Sequence, residues 1–127
     1  MVLCLWSVGN SIEKTHVVYI LFLNKQGNPN EEKFFQYMLE YCPMQTVQEG
    51  AKYPSCLITG GLHDSRVQYW EPAKFAATLR HLQAPESGPV CVKMELSAGH
   101  FSASDRYKYL RELAFDYAFL LDQRGLA

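Results

Sequence analysis

Residues 55–66 read Ser55-Cys56-Leu57-Ile58-Thr59-Gly60-Gly61-Leu62-His63-Asp64-Ser65-Arg66, and residues 90–100 read Val90-Cys91-Val92-Lys93-Met94-Glu95-Leu96-Ser97-Ala98-Gly99-His100. Each begins as a short apolar run and passes into a loop of small and polar residues. The run 55–59, bounded by Pro54 and Gly60-Gly61, predicts a buried strand. The run 90–96 predicts a second, with Ser97-Ala98-Gly99-His100 as its exit loop. Between them Pro72 opens a helix over 72–82, in which Phe75, Ala76, Leu79 and Leu82 recur at helical spacing. Gln83 to Pro89 is a surface loop. Strand, helix, strand and a further helix define an α/β class with parallel strands.

Working outward, Thr15 to Leu23 is rich in β-branched and aromatic residues and reads as an earlier strand. Gly27-Asn28-Pro29 then makes a turn. Asn28 is placed to N-cap a helix over 28–41, with Pro29 first and Glu31 third in it. That helix carries Phe34, Phe35, Met38 and Leu39 on one side and stops at Pro43. Downstream, Ser102 with Asp105 three positions later is a second capping signal. The helix 104–121 that follows presents Leu110, Leu113, Ala114, Tyr117, Leu120 and Leu121. There is no internal repeat and no low-complexity segment.

A chain of 127 residues sets a prior of one domain. Twelve Lys+Arg against thirteen Asp+Glu give a net charge of −1 and a pI near 6.4, so no basic face is available for nucleic acid. Hydrophobic residues make up 48% and charged residues 20%, which is globular and not disordered composition. The longest apolar run, Val17 to Leu23, falls far short of the ~20 residues of a membrane-spanning helix. Met1 to Val8 lacks the basic start and small-residue cleavage site of a signal peptide. Cys4, Cys42, Cys56 and Cys91 show neither C-x-x-C nor zinc-finger spacing. Cys56 and Cys91, inside apolar runs, are read as core thiols, and a reducing, cytoplasmic location is expected.

Parallel α/β sheets place their chemistry in loops beyond the carboxyl ends of the strands. Here those loops hold His63-Asp64-Ser65-Arg66 and Gly99-His100. An acid after one strand and a histidine after the next follow the chain order of the last two members of an α/β-hydrolase triad. The histidine needs a carboxylate on its Nδ1–H to fix the tautomer and stabilise the imidazolium. On these two residues alone, a capping Asp beside an unrelated loop His is the simpler explanation. A metal site from His63, Asp64 and His100 is a third option, since two imidazoles and a carboxylate suit Zn or Fe. Adjacent side chains such as His63 and Asp64 usually diverge, so no metal and no cofactor are expected.

The local words shift the balance. Tyr53-Pro54, and then Leu57 through Asp64-Ser65-Arg66-Val67-Gln68-Tyr69-Trp70-Glu71-Pro72-Ala73-Lys74, closely resemble the catalytic-Asp region of the prolyl oligopeptidase family of serine peptidases. The Val67 to Lys74 part resembles the oligopeptidase B (protease II) branch in particular. Gly27-Asn28-Pro29-Asn30-Glu31 with Tyr37-Met38 upstream agrees, as does Ala98-Gly99-His100 with Tyr117-Ala118-Phe119-Leu120 downstream. The resemblance runs from about Gly27 to Gln123. It implies an α/β-hydrolase fold, peptide hydrolysis, Asp64 as triad acid and His100 as general base. It also implies that Arg66 hydrogen-bonds a substrate carbonyl, a task that suits an always-charged planar guanidinium. Cys56, Cys91 and His63 match no functional position, and His16 and His81 belong to no motif. Tyr69 and Trp70 are expected to pack beneath the loop.

Two departures accompany the matches. No G-x-S-x-G occurs in the chain; Leu5-Trp6-Ser7-Val8-Gly9 lacks the first glycine that a nucleophile elbow needs. In the family that Ser lies upstream of everything matched here, as does the β-propeller. Residues 27–127 are therefore read as the C-terminal portion of a peptidase catalytic domain without its nucleophile. Residues 1–26 are read as a divergent segment, from an alternative start or an intron read as coding. Tyr19 to Gln26 contains no acid, so the branch's preference for basic residues does not carry over. The expected partner is a peptide, with no nucleic acid and no membrane. The alternative is an inactive product that binds a partner or self-associates through an exposed sheet edge.

Overall fold

A computed structural model of the chain describes residues 27–97, 99 and 106–126. The strand read at 15–23, the capping pair Ser102 and Asp105, and His100 lie outside the described residues. The chain divides into two units, Met1–Gln48 and Glu49–Ala127.

In the first unit, α1 spans Glu32–Tyr41 and α2 is the short helix Pro43–Thr46. The helix begins three residues later than its N-cap signal implied. Asn28 to Glu31 instead form a turn closed by the Glu31 N–H on the Asn28 carbonyl at 3.0 Å. The Asn28 side chain accepts from the Asn30 N–H at 3.1 Å, so it serves that turn and not the helix. Met38 and Cys42 are the fully buried side chains, while Phe35 is exposed, so the buried stripe is narrower than periodicity alone predicted. Cys42 is extended ahead of Pro43, which separates the two helices.

The second unit is built on two strands, β1 (Cys56–Gly61) and β2 (Val90–Glu95), which pair in parallel with Cys56 opposite Val90 and Gly61 opposite Glu95. The crossover between them carries α3 (Trp70–Leu82), and α4 (Arg106–Gln123) follows β2. This is the α/β arrangement expected, with parallel strands flanked by helices. α3 starts two residues ahead of Pro72, which a first turn tolerates because its N–H groups have no helical acceptor. Ala76 and Leu79 are buried at its sheet-facing side.

The two helices take opposite faces of the sheet. A β-carbon on Gly60 would stand 2.8 Å from Pro72 Cγ and 3.3 Å from Met94 Sδ, so Gly60, Met94 and the start of α3 share one face. On the other face the Lys93 ammonium sits 4.2 Å from the Phe115 ring centroid, and Lys108 reaches Glu95, both from α4. The missing side chain of Gly60 lets β1 continue to Gly61, two residues past the predicted end, because a helix turn rests directly on its backbone.

Burial corrects the cysteine reading. Among the described residues Cys91 is exposed and Cys56 only half-buried, whereas Cys42 is buried; all three are free. Cys91 shares the α4 face, which α4 meets at Lys93 and Glu95, farther along the strand. An apolar run is a necessary sign of a two-sided interior, not a sufficient one. α4 itself leaves large apolar side chains in the open, including Tyr107 at 72% exposure, Leu110, Phe115, Tyr117, Leu120 and Leu121. No helix among the described residues is long and apolar enough to cross a membrane.

Candidate active site

Asp64 follows β1 by three residues and is held close to the protein interior, with 9% of its surface exposed. Its Oδ1 accepts from the backbone N–H of Arg66 at 2.8 Å and of Val67 at 2.9 Å. Its own N–H donates to the Gly61 carbonyl at 3.3 Å. These contacts fix the plane of the carboxylate and curl the chain around it. The capping role is thus present in full. It is compatible with a catalytic one, because it engages one oxygen and orients the other.

The side chains next to Asp64 are exposed: His63 on one side, Ser65 and Arg66 on the other. His63 is exposed where Asp64 is buried, and among the described residues, which do not include His100, no three His, Cys, Asp or Glu side chains cluster to hold a metal. His81 is exposed in the last turn of α3. Tyr69 and Trp70 meet edge to face at 5.1 Å between ring centroids, with Tyr69 exposed and Trp70 half-buried. Glu71, the second residue of α3, is buried at the helix start, where a carboxylate suits the positive end of the dipole.

The exit loop of β2 comes to the same end of the sheet. The Leu62 N–H donates to the Glu95 carbonyl at 2.9 Å, extending the ladder by one residue beyond β1. Farther on, a β-carbon on Gly99 would stand 3.6 Å from the His63 carbonyl oxygen. His100 itself lies outside the described residues.

Two arrangements at the ends of β2 carry no sequence motif. Arg80 of α3 donates from Nε at 3.0 Å and from Nη2 at 2.6 Å to the Val90 carbonyl, clasping the first residue of β2. At the other end of β2, Glu95 Oε1 accepts from Lys108 Nζ at 2.9 Å, Ser97 N–H at 3.0 Å and Ser97 Oγ at 2.8 Å. Lys108 also donates to Ser97 Oγ. The hydrogen bonds from Lys108 and then Ser97 pull the Glu95 pKa down to about 2. No sequence signal marks this pair, since Glu95 and Lys108 lie on different elements and only the fold brings them together.

A parallel sheet covered by a helix on each face, with a buried carboxylate in the loop beyond its first strand, defines a piece of an α/β-hydrolase-like catalytic domain. Residues 10–126 match the Prolyl oligopeptidase family, and the chain belongs to that family. The matched range takes in part of the segment 1–26. The chain is 46% identical over 101 residues to a dipeptidyl aminopeptidase BI of Pseudoxanthomonas mexicana and 40% identical over 100 residues to a protease 2 of Moraxella lacunata. These alignments cover 80% and 79% of this chain. The structure of oligopeptidase B from Trypanosoma brucei with covalently bound antipain superposes on 80% of the chain with a TM-score of 0.74 and 54% identity. In all three cases the chain spans only 14% of the relative's length.

Proposed function

We propose that residues 27–127 are the C-terminal portion of the catalytic domain of a serine-type oligopeptidase, and that the nucleophilic serine lies outside this chain. His100 acts as general base toward that serine and returns the proton to the leaving amine. Asp64 holds the imidazole in the tautomer this requires and stabilises its cation. Arg66 donates to a peptide carbonyl beside the scissile bond. The observation that carries the reading is the buried Asp64 carboxylate with Oδ1 pinned by two amides, at the sheet end where Gly99 meets His63. Without a nucleophile the 127-residue chain is inactive on its own, since covalent catalysis is lost with the serine. The free thiols of Cys42, Cys56 and Cys91 suit a reducing, cytoplasmic setting.

Proton NMR of the chain tests the pairing. A low-field imidazole N–H resonance is expected, absent in both H100Q and D64N. A spectrum unchanged by D64N overturns the assignment. A serine-directed fluorophosphonate should label no residue, and stoichiometric labelling would relocate the nucleophile to this chain.

A second reading is favoured by one observation, the exposed apolar residues along α4. In this reading the chain is a non-catalytic product that self-associates. Sedimentation that shifts to larger species with concentration supports it, and a monomer at high concentration overturns it.

A further inference from the structure

The bonds that bracket the β1–β2 ladder fix which backbone groups of β2 face outward. The Cys56 N–H donates to the Pro89 carbonyl and the Leu62 N–H to the Glu95 carbonyl, each at 2.9 Å. Backbone groups alternate sides along a strand, so those of Cys91 and Lys93 also turn toward β1. Those of Val90, Val92 and Met94 turn away from it. Among the described residues the sheet has only these two strands, so the far side of β2 is an edge. Its outward residues are all apolar, and Val92 is 36% exposed.

Such an edge is a template for another strand, and proteins guard it with lysine, proline or a bulge. None of these stands on this one. Pro89 lies ahead of the strand, the register runs without a bulge, and the Lys93 ammonium is held 4.2 Å from the Phe115 ring on the α4 face. What stands there is Arg80. Its guanidinium donates at 3.0 and 2.6 Å to the Val90 carbonyl, the first outward acceptor of the strand. The register shows what that acceptor would otherwise take. The antiparallel pairing of two β2 strands that matches every outward residue places Val92 opposite Val92 and Val90 opposite Met94 of a second copy. The Met94 N–H of that copy would then need the carbonyl that Arg80 holds.

We propose that Arg80 guards the β2 edge: by occupying the Val90 carbonyl it keeps the edge from pairing antiparallel with β2 of a second copy. The inference is separate from the triad and from the self-association read on α4. A second copy is the partner that fits, because the outward row is self-complementary about a two-fold axis at Val92. Removing the guanidinium frees the whole row of donors and acceptors.

The test uses the full 127-residue chain and follows hydrogen exchange of the Val92 and Met94 amides as protein concentration is raised. In the parent chain, exchange at both is expected to be independent of concentration. In R80M it is expected to slow as concentration rises, with a shift to dimer in sedimentation. R80M/V92P should restore parental behaviour at Met94, because a proline whose nitrogen faces outward interrupts edge pairing and leaves the β1 ladder intact. R80M/V92K, which puts a charge on the edge, should do the same. Parental amides that slow with concentration, or R80M amides that do not, would overturn the guard. So would an R80M association that persists in both double variants, the mark of aggregation from opened chains. Association through α4 or through the β1 edge would shift sedimentation and leave the Val92 and Met94 amides unchanged.

Discussion

Gly99 lies against His63: a β-carbon on the glycine would come 3.6 Å from the His63 carbonyl oxygen. The next residue after one is His100 and after the other is Asp64. A parallel pair with one crossover brings both exit loops to one end of the sheet. The contact also sets a size limit. At 3.6 Å an alanine makes an ordinary van der Waals contact, so G99A should change stability by less than about 0.5 kcal/mol. G88A should be far worse, because its β-carbon would stand 2.7 Å from the Ser55 Cα, a backbone atom that cannot swing aside. A loss of about 1–3 kcal/mol is expected for G88A in urea denaturation.

Asp64 invites a comparison of two substitutions. D64A removes the acceptor for the Arg66 and Val67 amides and should cost about 1–2 kcal/mol, as loss of a capping side chain does elsewhere. D64N keeps an oxygen for those amides and should cost clearly less, while still uncoupling His100. Equal losses for the two in urea denaturation would mean that the charge, and not the oxygen, organises the loop.

Arg80 places two donors on the Val90 carbonyl. R80M keeps the aliphatic stem and removes both. The expected loss is about 1.5–3 kcal/mol, the range for hydrogen bonds to a charged group. Hydrogen exchange should show the loss at the start of β2 ahead of the rest of the sheet.

Glu95 sets an acid limit. Its pKa falls from the usual 4.5 to about 2, through Lys108 first and Ser97 second. The folded state therefore holds the carboxylate charged where the unfolded chain would take up a proton. The resulting stabilisation is complete above 4.5 and disappears as the pH falls from there through about 2. The stability difference between the parent chain and E95Q, measured by urea denaturation, should be flat near neutrality and shrink across that interval. It should also shrink with added salt, since both partners are only half-buried. A difference that grows on acidification would contradict the ion pair.

Much of the fold was legible because its signals are local. Pro54 lies just ahead of β1, although Gly60-Gly61 fall within the strand and not beyond it, and the spacing of Ala76 and Leu79 marks the buried side of α3. The errors arose where a side chain had two uses. The pattern around Asn28 predicts a helix cap, but its oxygen is taken by Asn30 in the preceding turn. The apolar neighbours of Cys91 predict a core thiol, but exposure of a strand face depends on what lies over it, which one strand does not encode. At the site, Asp64 was found through a pattern of residues, and its capping geometry has the same outward sign as a catalytic one. The Glu95–Lys108 pair was invisible as a pair because strand end and helix start are brought together only by the fold.

The parallel pairing of β1 and β2 has a kinetic consequence. An antiparallel hairpin zips from its turn, but these strands are separated by α3 and two loops, and no first contact between them is near in sequence. Their docking must await a preformed platform. The clasp of Arg80 on Val90 spans only ten residues, so it can close early and hold the start of β2 against α3. The arrival of β1 on this α3–β2 unit is then the step expected to be slow, and hydrogen-exchange labelling during refolding should protect the start of β2 before β1.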